Sequence, residues 1–134
     1  MEFKQEWYEE VRNAQKNAYT PYSKFNVGAY LVAKDGTTFH GCNVENAAYG
    51  EAICAERTAL VSAIAKGYRP GDFAAIVVTT DTEKPSSPCG ACRQVINELC
   101  DDDMPVFMTN HTGDVIERTV ADLLPLGFSG KDLN

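Results

Sequence analysis

At 134 residues the chain has the size of one ordinary domain, and folding at this length buries roughly two-thirds of the extended surface without disulfide staples. Its 12 Lys and Arg stand against 19 Asp and Glu, a net charge of −7. With no basic run, that surface argues against a polynucleotide partner, whose phosphates must be neutralised by clustered cations. The longest apolar stretches, near 59–64 and 73–78, fall well short of the ~20 residues of a membrane span. Residues 1–6 lack the layout of a signal peptide, so the chain reads as cytoplasmic, with no membrane partner.

Phe3, Trp7, Val11, Ala14 and Ala18 recur at three- and four-residue steps, which predicts an amphipathic helix over 2–18. Thr20-Pro21 ends it, because the residue before a proline avoids helical angles. Residues 26–34 alternate loosely, and Asp35-Gly36 supplies a two-residue turn into 37–42, the pattern of a hairpin. Residues 43–51 read as a loop. Residues 52–66 are rich in helix formers, with Ile53, Leu60 and Ile64 on one face, and Gly67 stands where such a helix stops. The near-continuous apolar run 73–80 reads as a central strand covered on both faces. After a Pro/Ser-rich loop at 84–88, residues 90–100 form a helix that buries Val95, Ile96 and Leu99. Residues 104–109 and 115–119 are two further strands around the Gly113 turn, and 121–124 adds a helical turn before the tail. Helix, hairpin, helix, strand, helix, strand, strand in one domain over 1–134 implies α/β, a three-layer α-β-α sandwich on a five-stranded mixed sheet.

The chemistry concentrates in the cysteines. There are five, an odd number, which favours thiolate ligands or buried thiols over a disulfide framework. Pro88-Cys89-Gly90-Ala91-Cys92 is a C-x-x-C at a helix start, where both sulfurs can reach one ion and the positive helix end favours the thiolate. Cys54 opens the other strong helix, 35 residues earlier. Three thiolates leave one position of a tetrahedral zinc site for water, the catalytic pattern. Glu56, two residues on, can lie beside that water and move protons, and Arg57 can offset the excess thiolate charge. A structural zinc site would need a fourth ligand from His40, Cys42, Cys100 or His111. A redox pair would explain C-x-x-C but not Cys54-Ala55-Glu56.

Cys54-Ala55-Glu56 together with Pro88-Cys89-Gly90-Ala91-Cys92-Arg93-Gln94 resembles the zinc signature of the cytidine deaminase family. Phe25-Asn26-Val27-Gly28-Ala29, Asn43-Val44-Glu45-Asn46-Ala47 and Leu123-Leu124-Pro125 extend the likeness over nearly the whole chain. A cysteine at position 54 is similar to the small homotetrameric branch rather than to the branches that use a histidine there. The resemblance implies one Zn²⁺ per chain on Cys54, Cys89 and Cys92, with Glu56 as proton shuttle and Arg57 compensating the thiolates. It implies that Asn43 and Glu45 hold a nucleoside's sugar hydroxyls, with Phe25 and Ala55 against the substrate. It further implies a homotetramer in which Phe128 and Tyr49 approach a neighbouring subunit's site. The expected reaction is hydrolytic deamination of cytidine and 2′-deoxycytidine in pyrimidine salvage.

Overall fold

The computed structural model describes residues 1–133. Its strands are β1 (Val27–Ala33), β2 (Thr38–Cys42), β3 (Phe73–Thr80), β4 (Pro105–Asn110) and β5 (Val115–Thr119). The helices are α1 (Gln5–Gln15), α2 (Ala55–Ala65), α3 (Gly90–Leu99) and the single turn α4 (Val120–Leu123). One mixed sheet runs in the order β2-β1-β3-β4-β5, parallel only between β3 and β4. Alternation along the strands sorts two cores. Tyr30, Val32, Ala75, Val77 and Phe107 meet Trp7 and Val11 of α1 on one face. Ala29, Leu31, Ile76, Val106 and Met108 meet Leu60 of α2 and Ile96 of α3 on the other. These are the three layers expected from the sequence, and β3 is the strand most enclosed by them.

Two helices are shorter than predicted: α1 spans Gln5–Gln15 rather than 2–18, and α2 spans Ala55–Ala65 rather than 52–66. Tyr19 and Ile53 both pair with the backbone of Val44. Val44 N donates to Ile53 O and Ile53 N to Val44 O, each at 2.9 Å. The extended conformation this imposes on Ile53 delays α2 to Ala55 and leaves Cys54 as its N-cap, so tertiary pairing overrides the helix-forming tendency of 52–54.

The same topology brings the cysteines together. β2 and β3 are both antiparallel to β1, hence parallel to each other, and Cys42 and Thr79 both lie opposite Gly28. The chain therefore leaves both strands at one edge of the sheet, and α2 and α3 each begin there, where open α/β sheets place ligands.

Gly41 lets α2 lie close on β2. A Cβ at Gly41 would fall on Ala55 O and come 2.8 Å from Ala59 N, both backbone atoms of α2. Gly41→Ala is therefore expected to lower stability by about 3 kcal/mol and the melting temperature by about 10 °C. Thermal unfolding followed by circular dichroism would read this directly.

Candidate metal centre

Cys54 and Cys89 are the N-cap residues of α2 and α3, both extended in backbone, and neither uses its side chain as a cap. Their sulfurs are thus free to face one another, 3.7 Å apart. Cys92, in the first turn of α3 and fully buried, completes a trio whose sulfurs all lie within 4.8 Å of each other. Zn–S bonds of about 2.3 Å at tetrahedral angles put sulfurs about 3.8 Å apart, so the Cys54–Cys89 pair already has the required spacing. Among the described residues this is the one cluster of His, Cys, Asp or Glu able to hold a metal ion. None of the candidate fourth ligands joins it. His40 instead pairs with Glu10 at 2.6 Å, and burial pushes the Cys100 thiol up to about 12.

The donor chemistry fits a soft divalent cation. The Cys54 thiol is lowered to about 5, chiefly by the neighbouring Cys92 thiol, with Arg57 and Cys89 helping. Cys92 is correspondingly held well above its ordinary value, first by the neighbouring Cys54 and then by burial. A metal cation held among the three sulfurs would take the place of their protons. Arg57 Nη2 donates to Cys54 Sγ at 3.4 Å, and its Nε is buried with no partner. With three thiolates on Zn²⁺ the core carries −1, so this guanidinium restores neutrality.

Glu56 is only 3% exposed. Burial raises its carboxyl to about 7, and the charge on Cys54 pushes the same way, against its own amide and Arg57. A carboxyl poised there can take and return a proton near neutrality. Ala55 is completely buried and belongs to the core. As the first residue of α2, it has an amide with no intrahelical acceptor, which is what it can offer a ligand.

Asn43 and Glu45 lie on the segment that pairs with Ile53, which brings them beside the start of α2. Their polar atoms already hold the preceding loop. Asn43 Oδ1 accepts from Val27 N at 2.9 Å, and its Nδ2 donates to Phe25 O at 2.8 Å. Glu45 Oε1 accepts from Tyr22 N and Ser23 N at 3.0 and 3.1 Å, and Oε2 accepts from Ser23 Oγ. One N–H of Asn43 and the remaining lone pairs of Glu45 are left for a ligand. Glu45 lines a cleft of about 400 Å³ with Tyr22, Ser23, Asn46, Tyr49 and Ala52, where the Tyr22 and Tyr49 rings meet edge-on at 6.0 Å. Phe25, Tyr49 and Phe128 are 43%, 78% and 57% exposed. Phe128 O is held by Gln94 Nε2 and Asn97 Nδ2, each at 2.9 Å, which docks the tail on α3. The roles of Ser23, Arg93, Gln94 and Asn97 escaped the sequence reading. Only the adjacency of Arg93 and Gln94 to C-x-x-C could have hinted at them.

The family model for the cytidine and deoxycytidylate deaminase zinc-binding region matches residues 1–108. The chain belongs to this family. It is 57% identical to a cytidine deaminase of Sporosarcina psychrophila over 93% of this chain and 90% of that protein. It is 51% identical to one of Halalkalibacterium halodurans over 93% of each. The crystal structure of the Burkholderia pseudomallei cytidine deaminase covers 95% of this chain and 100% of its own, at 54% identity and a TM-score of 0.92. The family is a zinc-binding one, and Cys54, Cys89 and Cys92 are where this chain can hold the ion.

Proposed function

We propose that the protein hydrolyses cytidine and 2′-deoxycytidine to uridine and 2′-deoxyuridine plus ammonia, in pyrimidine salvage. The observation that carries this reading is Glu56, a buried carboxyl poised near pH 7 beside a three-sulfur cluster. Zinc, when bound by Cys54, Cys89 and Cys92, supplies a Lewis acid that brings the pKa of water toward neutrality. Glu56 takes a proton from the attacking water and delivers it to N3 of the pyrimidine, making C4 electrophilic. Oxygen adds at C4. Glu56 then moves the second proton to the amino group, the C4–N bond breaks and ammonia leaves. One carboxylate serves both transfers by turning between neighbours. Asn43 and Glu45 orient the sugar through their unused donor and acceptor sites, Phe25 packs on the base, and Arg57 keeps the thiolates from quenching the metal.

We also read residues 1–134 as one catalytic domain that works as a cytoplasmic homotetramer. Supporting this is the exposed apolar set Tyr19, Tyr22, Phe25, Val44, Tyr49 and Ile53, grouped on the segments beside the cleft. The four-copy assembly would bring Tyr49 and Phe128 to a neighbour's site. No helix among the described residues is long and apolar enough to cross a membrane.

Ammonia and uridine released from cytidine in equal amounts by zinc-loaded protein would establish the reaction. A full zinc complement without turnover would mean the substrate is misread, and a cytosine-bearing antibiotic nucleoside would be tried next. Glu45→Gln is expected to raise KM for cytidine about 10–100-fold with a smaller change in kcat, as loss of a charged hydrogen bond does. Ser23→Ala, which removes one of the bonds aligning Glu45, should raise it less. Steady-state kinetics on cytidine would show an unchanged KM if Glu45 does not face the sugar.

A further inference from the structure

Cys89 is the exposed member of the sulfur trio, so side-chain packing does not fix it. Its backbone is instead bracketed by a single residue. Arg93 N donates to Cys89 O at 2.9 Å as the first bond of the helix. The Arg93 side chain runs back toward the helix start, as long helical side chains do, and its Nε donates to Pro88 O at 2.8 Å. The carbonyls on both sides of the Cys89 Cα are therefore held by Arg93, which sets the direction of the Cα–Cβ bond and of the sulfur.

The other two nitrogens anchor the guanidinium itself. Nη2 donates to Ser87 Oγ at 2.6 Å, and Nη1 donates to Leu123 O at 2.9 Å. Leu123 is the last residue of α4, so its carbonyl is one that a helix end leaves open. Three acceptors from three directions match the planar fork of arginine, which the single ammonium of lysine cannot reproduce.

We infer that Arg93 is a positioning residue for the metal centre, holding Cys89 in ligating geometry and tying that ligand to the C-terminal segment through Leu123. The inference rests on the three-thiolate zinc reading above. Partners that orient metal ligands are typically worth about 10–100-fold in affinity or activity. Arg93→Ala should release zinc faster by that factor, with Arg93→Lys between it and the wild type. Both should lower kcat for cytidine more than they change KM, since Arg93 faces the ligand loop and not the sugar clamp.

The test is zinc transfer from the loaded protein to a chromophoric chelator at 25 °C, run on wild type, both Arg93 variants and Cys89→Ser, with melting temperatures recorded. A merely structural role would lower the melting temperature and leave the 25 °C release rate unchanged, which would overturn the inference. Unchanged release in Arg93→Ala beside rapid loss from Cys89→Ser would reject the positioning role and keep the metal site. Wild-type retention in Cys89→Ser would instead reject the three-thiolate reading and the inference with it. Should neither Arg93 variant fold, Ser87→Ala removes one anchor of the guanidinium. Faster release there supports the inference, and an unchanged rate overturns it.

Discussion

Glu56→Gln is expected to lower deamination of cytidine by about 10⁴-fold or more while leaving zinc content and fold in place. A positioned acid or base contributes about 10²–10⁴ to a single proton transfer, and the proposed reaction passes two protons through this one carboxyl. The side chain is 3% exposed, so water cannot readily substitute for it. Glutamine has nearly the same volume, and it replaces a group that burial has already raised to about 7. The stability change is therefore small, about 1 kcal/mol, set by whether the new amide finds partners. Ammonia release, zinc content and a melting curve on the same preparation separate the outcomes. Turnover within tenfold of wild type would remove Glu56 from the proton path, and loss of zinc would make it part of the metal site.

What could be read before the fold was known follows from distance along the chain. Cys89 and Cys92 announce themselves because ligands three apart on a helix start can serve one ion without further information. Cys54 with Glu56 and Arg57 was legible because one helical turn gathers all three. The meeting of the two groups was an expectation from their places at two helix starts, strengthened by likeness, and its physical cause is the sheet: two strands antiparallel to β1 deliver both helix starts to one edge. Asn43 and Glu45 show the opposite case. Their spacing in a turn-like segment says nothing of the bonds to Phe25 O, Val27 N and Ser23, which depend on Tyr19 and Ile53 flanking Val44. The start of α2 failed at the same place, since helix propensity at 52–54 is local and the pairing of Ile53 is not.

Among the ligands, Cys92→Ser is expected to do the most harm, abolishing turnover and weakening zinc binding by about 10²–10³-fold. Zinc bound by four strong ligands is worth about 10–16 kcal/mol, hence about 3–4 kcal/mol for each. Cys92 is fully buried and its sulfur lies within 4.8 Å of those of Cys54 and Cys89, so its loss also removes a contact between the two helix starts. The substituted protein should melt lower than wild type when both are loaded with zinc, and the two should draw together after chelation, because a bound ion stabilises only the state that binds it. Zinc content after dialysis and melting with and without chelator give the comparison. Cys100→Ser and Cys42→Ser are the controls. Cys100 is the C-cap of α3, 11 residues from Cys89 and so about 16 Å along the helix, too far to share its ion. Neither control should lose zinc. A drop in zinc in either would mean a fourth protein ligand, and a site with four protein ligands has no open position at which water could be activated.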